Sequence, residues 1–191
     1  MNKRILALLL SAMMVLAAPL ALAQMSKEET IAALTEVVKT YINEEEFNFD
    51  HDAEDDIFSG TFTLDSSLGQ CDVKVFVYDD MVSVSASPSL RVPQENRDKV
   101  AIFLTLANYN EYYSQFHMDY EDGYIATRSA QLVEGVIPGT GEIDTLVMMP
   151  IITLDEYGNG INKVALMGMD PHEAFAEALR EIEGNATDKS L

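Results

Sequence analysis

Cysteine is almost absent from this 191-residue chain, which contains Cys71 alone and no tryptophan. A single cysteine cannot form a disulfide within the chain, so the fold must depend on its apolar core even in an oxidising compartment. Cys71 begins an alternating apolar pattern that continues to Val77 and is typical of a half-buried strand. Lys74, the nearest cation in sequence, falls on the opposite side of that strand. We therefore predict a small buried side chain at Cys71 rather than a reactive thiol.

Basic residues are also scarce. The chain has 12 Lys and Arg against 32 Asp and Glu, which gives a net charge of −20. Binding to nucleic acid or to anionic lipid depends on Lys and Arg near phosphate groups, so we expect neither as a partner. Basic or cationic partners stay open, although a well-solvated surface explains the charge without any partner.

Long apolar runs are absent after residue 23. The longest later stretches, around 100–107 and 146–152, are far shorter than the roughly 20 apolar residues that span a bilayer. We therefore expect no membrane association once the N-terminal segment is removed.

The N-terminus has the three parts of a cleavable signal peptide, predicted over residues 1–23. Lys3 and Arg4 form a basic start, Ile5–Ala18 is apolar, and residues 21–23 are the small Ala-Leu-Ala of a cleavage site. A membrane anchor, the alternative, needs a run of about 20 apolar residues. We predict cleavage after Ala23, and Gln24 stands where lipid attachment would require cysteine. The expected product is a periplasmic or secreted protein with 10 basic and 32 acidic residues, a net charge of −22.

The rest of the sequence predicts one α+β domain over residues 24–185, with its core at about 28–168. Periodicity predicts the order α-β-β-β-α-β-β-α plus an extra C-terminal helix at about 171–183, with a flexible tail at 186–191. These elements surround an antiparallel sheet of about five strands, at 57–64, 71–78, 81–86, 116–121 and 124–132.

Several short signals set the predicted boundaries. Ser26 and Glu29 form a capping box that opens the first helix, and Asp122-Gly123 is a strong hairpin turn between the last two strands. Pro150 should split or kink the third helix, because it lacks the N–H of the helical ladder. Gly184 should end the last helix.

Five segments carry a family resemblance through their order and spacing: 71–75 (Cys-Asp-Val-Lys-Val), 92–97 (Val-Pro-Gln-Glu-Asn-Arg), 107–109 (Ala-Asn-Tyr), 116–120 (Phe-His-Met-Asp-Tyr) with Gly123, and 154–157 (Leu-Asp-Glu-Tyr). They resemble the YbjN family, bacterial proteins labelled sensory transduction regulators, over roughly residues 28–168. That family is similar in fold to the small dimeric chaperones of type III secretion, which bind extended segments of their clients.

The resemblance implies a type III secretion chaperone-like scaffold, a homodimer, and a chaperone-like or regulatory role in binding a protein or peptide. It supplies no catalytic residues. The predicted leader sets this chain apart from the commoner cytoplasmic members, so we expect its partner in the envelope or outside the cell.

No catalytic motif appears in the sequence. Of His51, His117 and His172, only the last begins a zinc-protease pattern, and Ala176 stands where the second histidine of H-E-x-x-H belongs. Neither G-x-S-x-G nor S-x-x-K occurs. We predict a non-enzyme with no catalytic, cofactor-binding or metal residues, although a triad assembled through space stays open.

An acidic cluster offers an alternative function. It comprises Asp50, Asp52, Glu54, Asp55 and Asp56, and carboxylate oxygens are the ligands that calcium prefers. The EF-hand pattern fails, because Asp55 and Thr61 replace its glycine and glutamate. A solvated loop is the preferred interpretation, with an envelope sensor of cations or small ligands as the alternative to peptide binding.

Overall fold

An antiparallel sheet with helices on one side forms the fold. The computed structural model describes residues 25–133 and 135–188, so the predicted signal peptide and the end of the predicted tail lie outside the described residues. The helices are α1 (Lys27–Glu44), α2 (Arg97–Asn110), α3 (Thr140–Met167) and α4 (Pro171–Asp188), with a short 3-10 turn at Gln94–Asn96 before α2. The strands are β1 (Phe49–Asp52), β2 (Ile57–Thr63), β3 (Gln70–Val77), β4 (Met81–Pro88), β5 (Gln115–Met118) and β6 (Ile125–Leu132).

The predicted α+β class and element order are confirmed, with a sixth strand added. The sheet order is β1-β2-β3-β4-β6-β5, and every neighbouring pair is antiparallel. The extra strand, β1, falls inside the acidic segment that the sequence predicts as a loop. Its acids, Asp50 and Asp52, are exposed and alternate with Phe49 and His51, which are half-buried.

Helix α3 corrects one of the two predicted effects of Pro150, a split of the helix. The helix runs unbroken from Thr140 to Met167. A proline at position 150 leaves the carbonyl of Leu146, four residues earlier, without its helical donor. The Ser129 hydroxyl of β6 donates to that carbonyl at 2.7 Å, so the sheet supplies the missing hydrogen bond. The Thr127 hydroxyl binds the Pro150 carbonyl in the same way, also at 2.7 Å.

Two other predicted boundaries move. Helix α4 continues past Gly184 to Asp188, because glycine weakens an exposed helix by only about 1 kcal/mol and does not end it. Strand β5 stops at Met118, since Asp119 turns the chain by accepting the amide of Gly123 at 2.9 Å. Gly123 then takes φ +76°. The chain therefore turns near Asp122-Gly123, but through a longer loop than the predicted two residues, because Met118 pairs with Ile125.

The core lies between the sheet and the helices. Leu154, Tyr157 and Ile161 of α3 are almost completely buried, as are Val75 of β3 and Val84 of β4. The long helix packs against β6, β4 and β3, so it covers the centre of one face of the sheet. Among the described residues, no helix combines the length and apolar character needed to cross a membrane.

Candidate functional site: the free edge of β6 and the uncovered sheet face

The two faces of the sheet differ in burial. On β3, Val73 and Val75 are buried while Asp72 and Lys74, which alternate with them, are exposed. Because successive side chains of a strand point to opposite faces, the helices cover the valine face only. The other face, which we call the open face, carries the exposed side chains of Asp72 and Lys74. Small side chains of its central strands, such as Ser83 and Ser85, are buried between larger neighbours.

A row of cations crosses the open face. The strand register places Lys74 opposite Ser85, and Ser85 opposite Arg128. Gln115 of β5 continues the row beyond Arg128. Lys74 and Arg128 are therefore two strands, or about 10 Å, apart. Both are exposed, and neither has an ion pair or hydrogen bond with another described residue, although the chain contains 32 acids.

His117 lies on the same face, diagonally across from Arg128. Partial burial lowers the pKa of His117 below its usual value, and the charge of Arg128 lowers it further. A lowered pKa keeps this imidazole neutral near pH 7. The positive charge of this part of the open face therefore comes from Lys74 and Arg128.

The outer strands of the sheet are both protected against pairing. Charged side chains protect β1, whose exposed residues are Asp50 and Asp52. A side chain protects β5, because the Asn108 amide accepts from the Phe116 N–H at 2.7 Å and donates to the Phe116 carbonyl at 3.0 Å. Neither outer strand offers a free row of backbone groups.

Strand β6 has an unprotected edge. Its partner β5 has four residues and reaches only Ile125–Arg128, whereas β6 continues to Leu132. On its other side β6 pairs with β4, where the N–H of the following residue, Val133, donates to the Asp80 carbonyl at 2.8 Å. Backbone groups alternate between the two sides of a strand, so the N–H and C=O groups of Ala130 and Leu132 point away from β4. Within the described residues they have no hydrogen-bond partner.

A groove of about 370 Å³ runs beside this edge. We call it the β6 groove; it lies between Ser129–Gln131, the α3 side chains Leu146 and Met149, and the loop residues Tyr112 and Tyr113. Tyr112 is 91% exposed, Tyr113 69% and the neighbouring Leu132 67%. Leu132 lies on the open face, whereas Tyr112 and Tyr113 line the groove. Exposed large side chains on both sides of an edge are typical of interaction sites.

A second edge, at Thr61–Thr63 of β2, also lacks a strand partner, because β1 pairs only as far as Gly60. It borders a larger cleft of about 560 Å³. Carboxylates of Glu46, Asp50 and Asp72 line that cleft, whereas Glu142 is the one acid that lines the β6 groove. Acidic side chains discourage pairing at an edge. The β6 groove is the better candidate because it combines free backbone groups with exposed apolar side chains.

The residues that the sequence singles out do not come together. His51 and His117 lie on the opposite outer strands, β1 and β5, and His172 lies in the first turn of α4. The His51 ring stacks on Phe58 with 4.1 Å between ring centroids. The structure therefore does not assemble the three histidines into one site.

The acidic cluster is spread over a strand and a turn. Asp52 accepts the amide of Glu54 at 3.0 Å, and Asp56 accepts the Thr35 hydroxyl at 3.3 Å. Within residues 25–133 and 135–188, no three His, Cys, Asp or Glu side chains are arranged to hold a metal ion. The geometry gives no support to the calcium alternative.

Cys71 is buried, as predicted. Burial raises the pKa of its thiol to about 12, and the charges of Asp72 and Asp155 act in the same direction. The thiolate is the reactive form of cysteine, so Cys71 is an inert part of the core.

Comparison with known proteins adds no further identification. No protein-family model matches the chain, and no curated protein matches its sequence. The resemblance to the YbjN family stays a prediction from the five segments that carry it.

The sequence predicts an antiparallel sheet of about five strands but does not locate the β6 groove. Two features of the sequence point to it in retrospect. The strand predicted at 124–132 is longer than its hairpin partner, and Tyr112-Tyr113 places two large aromatic side chains in a connecting loop.

Proposed function

We propose that this chain is an exported, non-enzymatic protein that binds an extended segment of a protein partner as a seventh strand beside β6. The observation that carries the proposal is the pair of unpartnered backbone sites at Ala130 and Leu132, next to a groove with exposed tyrosines. A peptide that adds to a sheet edge gains affinity from main-chain hydrogen bonds and specificity from alternate side chains.

The size of the site suggests moderate affinity. Two residues with outward N–H and C=O groups offer four hydrogen bonds, each with a net value of about 0.5–1.5 kcal/mol. Covering Tyr112, Tyr113 and Leu132 adds apolar burial, and ordering the peptide offsets part of the gain. We expect a dissociation constant on the order of micromolar.

The partner segment is expected to be extended and to continue the line of β5. The sheet is antiparallel throughout, so an added strand antiparallel to β6 preserves the existing pattern. Ser114, which precedes Gln115 in the chain and is fully buried, blocks the position opposite Ser129. The residue of the added strand opposite Gln131 points into the β6 groove, towards Leu146 and Met149. The predicted export of the chain places this partner in the envelope or outside the cell.

The test is selection of peptides on the chain from residue 24 onwards, with a phage library of random 12-residue peptides as the probe. Ala130→Pro removes the outward N–H without removing a β4 ladder bond, which is the position where a sheet tolerates proline. We expect the selected peptides to lose at least tenfold in affinity for this variant, measured by fluorescence anisotropy.

The matched control is Thr61→Pro. The N–H of Leu64 donates to the Gly69 carbonyl on the β3 side, so alternation directs the N–H of Thr61 to the other unpartnered edge. Circular dichroism and urea unfolding verify that both variants fold. Failure to select any peptide, or equal binding to wild type and Ala130→Pro, contradicts the proposal. If sedimentation shows that the wild type is a dimer and that Ala130→Pro is a monomer, the segment beside β6 belongs to a second copy of this chain rather than to another protein.

A further inference from the structure

The strand register determines which side chains of an added strand reach the open face. Ala130 is opposite Ser83, and Arg128 is opposite Ser85; all four side chains lie on the open face. A residue added opposite Ala130 therefore also points to this face. Its diagonal neighbour on β6 is Arg128, within reach of a long side chain.

No acidic residue of the described chain lies beside Arg128 at the position that the added strand would fill. Asp50 ends the same row at β1, four strand spacings or about 19 Å away. Asp72 is two strands away, one row further along β3, and it already accepts the Thr61 hydroxyl at 3.2 Å. The residue directly opposite Arg128 on β5 is the neutral Gln115. The nearest unfilled position on its other side is the one opposite Ala130.

We propose that Arg128 selects an acidic residue in the bound segment: Asp or Glu opposite Ala130, next to an apolar residue opposite Gln131. This inference rests on the proposed function and specifies the chemistry of its partner. The guanidinium fork matches a carboxylate geometrically, which favours Arg128 over a point charge for this task.

The net charge of −20 does not oppose this choice. At physiological salt, charges more than about 8 Å apart in solvent are largely screened. A single carboxylate beside Arg128 therefore senses that cation more than the distant acids. A long polyanion would instead extend over Asp72 and Asp50, so a short protein segment fits the open face better.

The expected preference is modest, because the ion pair is exposed. Such pairs change affinity by about two- to fivefold. Reversing the charge of Arg128 should invert the preference by a similar factor, so the ratio of affinities for matched Glu and Lys peptides is the sensitive quantity.

The test repeats the phage selection on wild type, Arg128→Glu and Lys74→Glu. Wild type is expected to enrich Asp or Glu at one position next to an apolar residue, and Arg128→Glu to enrich Lys or Arg there. Lys74→Glu makes the same charge change in the same row, but lies about 14 Å from the added strand, so it should select the wild-type pattern. Synthetic peptides with Glu, Gln or Lys at that position, measured by anisotropy at two salt concentrations, give the ratios.

The outcomes separate this inference from the proposed function. Peptides that are sensitive to Ala130→Pro but show no acidic preference overturn the role of Arg128 and leave strand addition intact. The role of Arg128 is also overturned if Lys74→Glu shifts the preference for acidic peptides as much as Arg128→Glu does. If no selected peptide is sensitive to Ala130→Pro, both proposals fail.

Discussion

Replacing Ser129 with alanine should destabilise the chain through Pro150. The Ser129 hydroxyl donates to the Leu146 carbonyl at 2.7 Å, and Pro150 has no N–H with which to bind that carbonyl. Leu146 is only 8% exposed, so water cannot easily take the place of the serine. Leaving a buried acceptor unpaired costs about 1–3 kcal/mol, which lowers the melting temperature of a chain this size by roughly 2–4 °C per kcal/mol.

The cost should depend on the residue at position 150. In a Pro150→Ala background the N–H of the alanine can donate to the Leu146 carbonyl. Ser129→Ala then removes the hydroxyl hydrogen bond to this carbonyl, while the helical hydrogen bond remains. We expect the Ser129→Ala penalty to fall by about 1 kcal/mol in that background. Urea unfolding of the wild type, both single variants and the double variant gives the four free energies, with unchanged m-values as the control. Equal penalties in both backgrounds would show that Ser129 does not substitute for the missing helical bond.

Three further predictions concern stability. Asn108→Leu leaves both backbone groups of Phe116 without a partner, so we expect urea unfolding to show a loss of about 1–3 kcal/mol in the free energy of unfolding. Light scattering should show more self-association than in the wild type. A fully monomeric variant would contradict the protective role of Asn108. A Cβ at Gly158 would lie 2.3 Å from the Ser66 hydroxyl, so Gly158→Ala should lower the free energy of unfolding by about 1–3 kcal/mol. A Cβ at Gly184 would meet nothing within 4 Å, so Gly184→Ala should raise it by up to about 1 kcal/mol. Thermal unfolding that ranks the two variants the other way refutes this packing. Burial lowers the pKa of His117 in the folded chain, so as the pH falls this imidazole is protonated first in the unfolded chain. The wild type should therefore lose stability relative to His117→Gln as the pH falls below about 6.5, but not above pH 7. Urea midpoints of the two proteins that stay parallel across pH 5–8 would rule out this contribution.

Local signals in the sequence predict much of the fold. The Ser26 capping box is present, with the Ser26 N–H donating to Glu29 at 2.9 Å and the Glu29 N–H donating to the Ser26 hydroxyl at 3.2 Å. The chain also turns near Asp122-Gly123, where a hairpin is predicted, although the loop is longer than two residues. Both signals depend on residues a few positions apart, so no tertiary contact is needed to recognise them.

The predictions that failed depend on distant residues. Pro150 does not split α3 because Ser129, 17 residues before Leu146, supplies that carbonyl with a donor that no local rule anticipates. Strand β1 was missed because Asp50 and Asp52 have low strand propensity, while pairing with β2 stabilises the strand.

The candidate site is a product of register. Lys74 and Arg128 are 54 positions apart in sequence, and only the pairing of β3, β4 and β6 places them in one row. The free edge of β6 likewise follows from the late start of β5, at Gln115. Sequence analysis can therefore predict that an antiparallel sheet has edges, whereas the pairing decides which edge stays open.

Hydrogen exchange at single amides tests the central claim most directly. In the free chain, the N–H groups of Ala130 and Leu132 should exchange quickly, while those of Gln131 and Val133, which face β4, should be protected. Adding a selected peptide should slow exchange at Ala130 and Leu132 and leave Thr61 and Thr63 unchanged. Protection of Ala130 and Leu132 before the peptide is added, or protection gained only at Thr61 and Thr63, would contradict strand addition beside β6.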